Sequence, residues 1–291
     1  MGIEPQVFTA DPSLVVDMAI STAEFQTVAG LVARNFGIHL ADGKKAMMGC
    51  RLVKEVRRSG CRSFAEFYRE FLVDPSPETL SMLANALSTN HTYFNRESNH
   101  FWMFRDEVLP EVLRQQERLG RRDLRVWCAA ASTGEEPYTL AMLIRDALLA
   151  RGPGWRGGLL ATDLSHEALQ TARRGIYPAA DALELPNTMY RRYFRELPSG
   201  DAAIIPELKA DVVFRRFNLM NTVYPFREPF QVVFCRNVMI YFEEPIKRQV
   251  VQRIYDVTAP GGWLFVGHAE TVTGLGSEFR AVRPGVYRRV G

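Results

Sequence analysis

The chain has 291 residues, 47% of them hydrophobic and 24% charged, a composition typical of a globular protein large enough for two domains. Its net charge of +3 is too small to indicate nucleic-acid binding, and we expect no nucleic-acid partner. The sequence contains neither an apolar run of membrane-spanning length nor a signal-peptide pattern, so we expect a cytoplasmic protein without membrane insertion.

The cysteines are far apart in the sequence and none follows C-x-x-C spacing: Cys50, Cys61, Cys128 and Cys235. Two of them fall inside predicted core strands. This placement favours reduced, buried thiols over zinc ligands, so no metal site is predicted. Internal repeats and low-complexity tracts are absent from the sequence, and the fold is therefore inferred from the pattern of individual elements.

The N-terminal part of the chain is rich in helix signals. Residues 1–20 show no clear period, which indicates a loosely ordered lead-in. Residues 21–88 carry helix start and stop signals at short intervals, including S-x-x-E capping boxes that begin at Ser21 and Ser63. These signals predict an all-helical domain, with helices at about 21–35, 42–59, 63–73 and 77–87.

The second predicted helix carries its charge unevenly. Between residues 41 and 62 there are seven basic residues and two acidic ones. At helical spacing a basic stripe lies beside an apolar stripe. This pattern is typical of a solvated helix face, and it also suits a docking surface for an acidic partner. The residues of this basic stripe are Lys44, Arg51, Lys54 and Arg58.

Residues 89–123 are predicted to connect the helical domain to a second domain. The stretch 88–97, STNHTYFNRE, is both polar and aromatic, and this composition suits a segment that lines a site better than a plain linker. A helix is predicted from Arg96 to about Gln116, and Pro110 is expected to kink or end it.

The sequence of residues 124–140, LRVWCAAASTGEEPYTL, predicts a strand, a tight turn and a helix. The strand is short and apolar, and the turn after it has almost no side-chain bulk. The helix runs from Glu135 to about Ala150, and Thr133 with Glu136 is predicted to form its capping box. Such a unit opens a doubly wound α/β sheet, and its small turn lets a ligand lie against the backbone.

The turn differs from a dinucleotide-binding turn. G-x-G-x-x-G is absent, and Glu135 with Glu136 would repel a pyrophosphate at this position. A cationic nucleoside without phosphate fits better, and S-adenosylmethionine is such a ligand because it carries a sulfonium and an ammonium group. An ordinary strand-to-helix turn with a solvated glutamate pair would explain the same residues.

The second strand of the sheet is predicted at Gly158–Thr162, followed directly by Asp163. A carboxylate at the end of this strand can accept hydrogen bonds from both ribose hydroxyls of a nucleoside. Alternatively, Asp163 simply caps the helix that is predicted at His166–Arg174.

The alternation of strand and helix is interrupted after this helix. Brief strand-like runs at Ala203–Ile205 and Val212–Phe217 predict a small β insertion at about 190–217. A helix is expected between Pro245 and Thr258. The remaining strands are predicted at Phe230–Phe234, Trp263–Gly267 and Val286–Val290.

Four separated stretches of the sequence together carry a family resemblance. They are N-x-T-x-F-x-R-E at 90–97, AAASTGEEPYTLAM at 129–142, FCRNVMIYF at 234–242 and GGWLFVGHAE at 261–270. They resemble the CheR family, the S-adenosylmethionine-dependent methyltransferases of bacterial chemotaxis receptors. The resemblance covers about residues 20–290. It implies an N-terminal all-helical domain and, at 124–291, a Rossmann-like class I methyltransferase sheet of seven strands with an antiparallel last strand and a small inserted β-subdomain.

The resemblance implies S-adenosyl-L-methionine as cofactor and S-adenosyl-L-homocysteine as product. Tyr241 matches the family tyrosine near the transferred methyl group, although a core aromatic residue would also suit this position. Arg96 is implied to hold the carboxylate of either the substrate or the cofactor, so Arg96 and Tyr241 are the catalytic candidates. The implied cofactor-binding residues are Asn90, Thr92, Arg96, Gly134, Glu135, Asp163, Asn218, Leu219, Cys235, Arg236 and Asn237.

The resemblance also implies a substrate, the glutamate-rich helical cytoplasmic domain of chemoreceptors, with the basic stripe as its docking surface. A sulfonium methyl group is already activated and glutamate is ionised at neutral pH, so transfer needs positioning rather than a base. A monomer is expected. Two other classes stay open: a methyltransferase acting on RNA or a small molecule, and a non-catalytic adaptor that binds the cofactor. Against amino-group transfer, the chain has CRNVMIY where such enzymes carry [DN]-P-P-[YF].

Overall fold

The structure is a computed structural model, and it describes residues 16–290. Most of the predicted lead-in, residues 1–20, lies outside the described residues. The chain divides into two compact units, one up to Thr89 and one from Asn90 onward. Within the described range, no helix combines the length and the apolar composition that crossing a bilayer requires.

The first unit is helical. Ser21 and Glu24 form the predicted capping box, in which each side chain bonds the other's backbone N–H. The second helix begins at Lys45 and not at 42, because a short 3-10 turn precedes it. The core includes Phe25, Met48 and Leu52, all nearly inaccessible to solvent. The elements are α1 (Thr22–Phe36), a 3-10 turn (Asp42–Lys44), α2 (Lys45–Arg58), α3 (Phe64–Phe67), a π-helical turn (Tyr68–Leu72) and α4 (Pro77–Leu87).

The second unit is built on a twisted sheet with helices packed against it. Its helices are α5 (Ser98–Met103), α6 (Leu109–Arg118), α7 (Glu135–Arg151), α8 (His166–Arg174), α9 (Ala179–Ala182), α10 (Asn187–Tyr193), α11 (Pro206–Ala210) and α12 (Glu244–Val257). A π-helical turn, Phe104–Val108, and a 3-10 turn, Met239–Tyr241, complete the helical elements of this part of the chain.

The strands form two sheets. Among the described residues the larger sheet has seven strands in the order β6-β2-β1-β7-β8-β10-β9, and the smaller has three in the order β3-β5-β4. The pairs from β6 to β8 are parallel, and β10 is antiparallel to both β8 and β9. The strands are β1 (Asp123–Cys128), β2 (Arg156–Asp163), β3 (Ile176–Pro178), β4 (Phe194–Glu196), β5 (Asp201–Ile204), β6 (Val212–Arg216), β7 (Phe230–Phe234), β8 (Thr258–Phe265), β9 (Phe279–Arg283) and β10 (Val286–Arg289).

The predicted bounds of the β insertion, about 190–217, were wrong in part, although β4 and β5 lie within them. The run Val212–Phe217 had been assigned to it, but β6 pairs in parallel with β2 and belongs to the large sheet. The small antiparallel sheet is formed instead by β3, β5 and β4, so it begins earlier, at Ile176. The cause is that an apolar run predicts a strand but does not identify its pairing partner.

Pro110 does not end the connecting helix. The backbone N–H of Leu109 bonds the carbonyl of Phe104, five residues back, so the helix is π-helical just before the proline. Pro110 then occupies the first turn of α6, where its missing N–H costs little. The helical path therefore continues from Ser98 to Arg118.

The core lies on both faces of the large sheet. On β1, Val126 and Cys128 belong to one buried cluster while Trp127 belongs to the other, as expected for a strand whose side chains alternate between faces. On the first face the rings of Phe234 and Phe265 stack at 4.3 Å between centroids. A sheet covered on both faces leaves its strand ends as the natural place for a site.

Candidate functional site

The candidate site lies where the carboxyl ends of the parallel strands β1, β2 and β7 meet. In doubly wound sheets ligands bind at this edge, beside the point where the strand order reverses. The central strand β1 pairs with β2 on one side and β7 on the other, so the reversal falls at β1. The turn that follows β1 therefore forms the floor of the site.

This turn is held open by backbone bonds to both neighbouring strands. The N–H of Ala129 donates to the carbonyl of Phe234 at 2.7 Å, and that of Ala131 donates to Thr162 at 2.9 Å. Ser132, at φ 48°, and Gly134, at φ 106°, adopt the left-handed conformation. A Cβ on Gly134 would lie 2.6 Å from the Tyr177 hydroxyl, so only glycine fits there.

The predicted capping box at the start of α7 was wrong. Gly134 is the N-cap residue and supplies no side-chain bond. The Thr133 hydroxyl donates instead to the carboxylate of Glu135 at 2.7 Å. Glu136 turns the other way, toward Arg236 and Cys128. The two glutamates therefore have separate environments and are not a solvated pair.

Asp163 is almost completely buried at the end of β2. Its carboxylate accepts the N–H of Ser132 and the N–H of Ser165, each at 2.8 Å. Ser165, not Asp163, is the N-cap of α8, because its hydroxyl accepts the N–H of Ala168. Burial raises the pKa of Asp163. The Leu164 N–H is a third backbone donor to this carboxylate, which leaves an acceptor position for a ligand hydroxyl.

Residues 90–97, called the linker segment below, reach the turn at Asn90. The hydroxyl of Ser132 donates to the Asn90 carbonyl at 3.0 Å, which brings Asn90, Ser132 and Asp163 together. Thr92 is partly exposed in the same segment. The guanidinium of Arg96 donates to the carbonyl of His91 at 2.8 Å and lies 5.9 Å from the ring centroid of Tyr93.

Glu135 is a buried carboxylate. It is 7% exposed, and in residues 16–290 no lysine or arginine forms an ion pair with it. Burial raises its pKa, and the hydrogen bond from Thr133 opposes that rise. A cationic ligand group in this position would stabilise the ionised form.

The guanidinium of Arg236 is fully buried between two carboxylates. It lies 2.7 Å from Glu136 and 3.0 Å from Glu97, and it also donates to the carbonyl of Arg96 at 2.5 Å. Burial raises the pKa of Glu97, but hydrogen bonds from Asn237 and the charge of Arg236 outweigh it and bring that pKa to about 2. These bonds connect the end of the linker segment to α7 and to β7.

The carboxylate of Glu270 holds the loop after β7 in place. It accepts backbone N–H groups from Gly267 at 2.6 Å, Asn237 at 2.8 Å and Ile240 at 3.2 Å. Asn237 adopts φ 56°, and its side-chain amide donates to Glu97 at 3.1 Å. The loop leads into the 3-10 turn that carries Tyr241.

The remaining predicted site residues vary in their exposure. Tyr241 is partly exposed and packs against the second core cluster. Cys235 is buried, and burial raises its pKa well above the ordinary value. Asn218 and Leu219 follow β6, and the Asn218 side-chain oxygen accepts the N–H of Met220 at 2.9 Å.

The basic stripe lies on α2 and the turn before it. Lys44, Lys54 and Arg58 are exposed, and Arg58 pairs with Glu55 at 3.2 Å. Arg51 differs from these three residues because its guanidinium forms hydrogen bonds within the helical unit. It donates to the carbonyls of Leu87 and Ser88, at the end of α4. Its part in the stripe is therefore mainly structural.

Sequence reasoning did not identify Glu97, Glu136 and Glu270 as site residues. Each lay inside a motif stretch, yet none of their partners could be inferred from spacing. Glu97 bonds residues 139 and 140 positions away. An acidic residue inside a motif that surrounds a predicted site is the sequence signal that could have indicated them.

The sheet order, the antiparallel strand β10 and the acid at the end of β2 agree with the Rossmann-like class I methyltransferase sheet that the family resemblance implies. Residues 90–287 match the model of the CheR methyltransferase SAM-binding domain, and residues 23–88 match that of the CheR methyltransferase all-alpha domain. The chain therefore belongs to the CheR methyltransferase family.

Relatives match along almost their whole length. A chemotaxis protein methyltransferase of Borreliella burgdorferi is 32% identical over 274 residues, which are 94% of this chain and 96% of the relative. One of Salmonella typhimurium is 35% identical over 265 residues, 90% of this chain and 88% of the relative. Chemotaxis protein methyltransferase 2 of Pseudomonas aeruginosa is 34% identical over 267 residues, which are 91% of this chain and 92% of the relative.

The protein is therefore an S-adenosylmethionine-dependent methyltransferase, and the site suits that cofactor. The cofactor supplies an activated methyl group on a sulfonium and carries two positive charges. Glu135 offers a buried carboxylate to a cation, and the Asp163 carboxylate can accept from a ribose hydroxyl. The turn after β1 has little side-chain bulk, which leaves room for the ligand beside its backbone.

Proposed function

We propose that this protein transfers the methyl group of S-adenosylmethionine to glutamate side chains on the cytoplasmic helical domain of chemoreceptors. The observation that carries the proposal is the match of both units to one family, together with relatives whose names describe chemotaxis methyltransferases. The product would be a glutamate methyl ester. On this proposal the protein acts in the cytoplasm, without inserting into the membrane.

The proposed reaction needs a positioned carboxylate and no base. Glutamate is ionised at neutral pH, so one of its oxygens can attack the sulfonium methyl directly. Holding the two reactants in line lowers the barrier because the entropy of their encounter is lost on binding. Tyr241 supplies a hydroxyl and Arg96 a guanidinium that can orient the incoming carboxylate without protonating it. Arg96 would first have to leave the carbonyl of His91.

The proposed cofactor contacts follow the edge of the sheet. Asp163 would accept from the ribose hydroxyls, and Glu135 would face a cationic group. Arg236 would act as a positioning residue, since its guanidinium is committed to Glu97 and Glu136. The other proposed contacts are Asn90, Thr92, Arg96, Gly134, Asn218, Leu219, Cys235 and Asn237.

A transfer assay tests the proposal. The purified chain is incubated with methyl-labelled S-adenosylmethionine and a panel of receptor cytoplasmic domains. We expect label on the receptor that mild base releases as methanol, and no label on receptors whose candidate glutamates are changed to alanine. Base-stable label on RNA or on nitrogen would support a different acceptor, and cofactor binding without transfer would support an adaptor.

We further propose that the exposed part of the basic stripe docks the acidic receptor helices. Lys54→Glu and Arg58→Glu should raise the KM for receptor without weakening the binding of S-adenosylhomocysteine, because complementary charge acts on encounter and orientation. The loss should shrink at high salt, where charges are screened. Arg118→Glu, on the exposed side of α6, is the matched control. An equal effect of the control would contradict a specific surface.

Light scattering after size exclusion tests the proposed monomer. A single peak at the mass of one chain, 33.0 kDa, is expected at assay concentration. A stable dimer would contradict this part of the proposal and would leave the transfer reaction to be judged by its own assay.

A further inference from the structure

Three side chains far apart in the sequence converge beside the end of β8. They are Glu97, His100 and His268, and their possible ligand atoms all lie within 4.8 Å of one another. The imidazole rings of the two histidines are edge to face, with centroids 4.7 Å apart. The spacing of the cysteines predicts no metal site. This cluster has no sequence spacing that would indicate it, because it combines residues 97 and 100 with residue 268.

His100 presents a lone pair to the middle of this cluster. The residue is 1% exposed, and its Nε2 lies 3.4 Å from the carbonyl oxygen of Pro284. A carbonyl can only accept, so the ring proton belongs on Nε2 and Nδ1 is unprotonated. Nδ1 has no hydrogen-bond partner among the described residues.

An anion lies close to this lone pair. Nδ1 lies 3.6 Å from an oxygen of the Glu97 carboxylate. An imidazole lone pair and a carboxylate facing each other repel, and a cation between them would turn that repulsion into attraction.

We propose that Glu97, His100 and His268 form a binding site for a divalent transition metal ion, represented by Zn²⁺. Two imidazole nitrogens and one carboxylate oxygen are a ligand set that zinc uses, with water completing a tetrahedron. Ligand bonds of about 2.0–2.2 Å require the three atoms to draw closer together. His268 is exposed on the loop after β8, so its ring can rotate inward.

Metal binding would compete with the contacts that already hold Glu97. The Oε2 atom that lies near His100 also accepts from Arg236 at 3.0 Å and from the N–H of His268 at 3.2 Å. The Oε1 atom accepts from the side-chain amide of Asn237. The nearby guanidinium charge weakens the attraction for a cation. Zinc would therefore bind reversibly, and it would loosen the link between the linker segment and the loop after β7.

Zinc titration against a chromophoric chelator tests the site. The full-length chain carries Cys50→Ser, because Cys50 is an exposed free thiol that could bind zinc itself. We expect one saturable site in this parent, the loss of that site in His268→Ala, and its retention in His166→Ala. His166 is the matched control, since it is also an exposed histidine, at the start of α8.

Cobalt provides a second readout that a change in stability would not mimic. Co²⁺ in a tetrahedral nitrogen and oxygen site gives visible absorption bands, which should appear in the parent and in His166→Ala but not in His268→Ala. Saturating zinc should also weaken the binding of S-adenosylhomocysteine by the parent. Absence of saturable zinc uptake, or uptake that is the same in His268→Ala, would overturn the proposal.

Discussion

Arg236 is the residue on which the polar interior of the site depends. Its side chain is fully buried and its charge is balanced by Glu97 and Glu136, whose side chains are only 14% and 13% exposed. A buried charge in such a position is tolerated only while its partners remain. The consequence is that changes to either glutamate act on the whole arrangement, including the linker segment.

Glu97→Gln should destabilise the protein. The amide keeps the shape of the side chain but removes the charge that faces Arg236, and within residues 16–290 Glu136 is then its one remaining ionic partner. We expect a loss of about 1–3 kcal/mol in the free energy of unfolding, measured by urea denaturation. Asp106→Asn, in an ion pair whose two side chains are half exposed, should cost less than about 1 kcal/mol. Equal losses in the two variants would contradict the role assigned to Arg236.

His100 should make the stability depend on pH. Its pKa falls from 6.5 to about 4 on folding, chiefly through burial, so below pH 6.5 the unfolded chain takes up a proton that the folded chain does not. The contribution of neutral His100 to the free energy of unfolding is therefore fully present above pH 6.5. It declines as the pH falls to about 4, by at most about 3 kcal/mol.

The measurement is a set of urea denaturation curves between pH 7 and pH 4.5. His100→Gln cannot titrate, so its stability should fall less steeply than that of the parent over this range. Glu97 adds a second loss only at lower pH, because its folded pKa of about 2 lies below its ordinary value of 4.5. Parallel profiles for parent and variant would show that His100 does not titrate differently in the two states.

At the scale of elements, sequence pattern predicted strands and helices well where their signals were local. The strand at Phe230–Phe234 and the helix at His166–Arg174 have the predicted bounds. A strand was predicted correctly at Val212–Arg216 but was assigned to the wrong sheet, and no strand was predicted at the position of β9. Strand pairing is decided by partners distant in the chain, and an edge strand with few apolar residues carries little signal.

The same contrast between local sequence signals and long-range contacts applies to the candidate site. The turn after β1 and the acid after β2 could be predicted because each is a local pattern at a strand end. The bonds of Arg236 to Glu97 and Glu136 could not be predicted, since they join side chains 139 and 100 positions apart. The capping box at Thr133 failed because a left-handed glycine, Gly134, took the N-cap position.

Gly134→Ala tests the turn as an element. A Cβ at this position would meet Ala172 at 2.9 Å as well as the Tyr177 hydroxyl, and φ 106° adds backbone strain. We expect a loss of more than about 2 kcal/mol in stability and weaker binding of S-adenosylhomocysteine, measured by denaturation and calorimetry.

Gly120→Ala is the control for this substitution. Gly120 also has positive φ, 68°, but no atom lies within 4 Å of its added Cβ. It should therefore show only the strain of the left-handed conformation, about 1 kcal/mol, and unchanged ligand binding. A similar effect of the two substitutions would mean that the close approach of Gly134 to its neighbours is unimportant.

At the scale of the whole molecule, the two units hold different parts of the proposed activity. The core clusters around the large sheet consist of residues from the second unit alone. Every proposed cofactor contact, from Asn90 to Asn237, also lies in that unit, while the basic stripe lies in the helical unit. A unit with its own core and its own ligand contacts should fold and bind independently.

A fragment of residues 88–291 should therefore bind S-adenosylhomocysteine as tightly as the full chain does, by calorimetry. Its methylation of receptor domains should fall strongly, with most of the loss in the KM for receptor, because the fragment lacks the charges that would attract and orient acidic helices. Adding salt should then affect the fragment less than the full chain. If the fragment folds but fails to bind the ligand, residues before 88 contribute to the cofactor site. If it binds the ligand and methylates receptor normally, the helical unit is not the docking element.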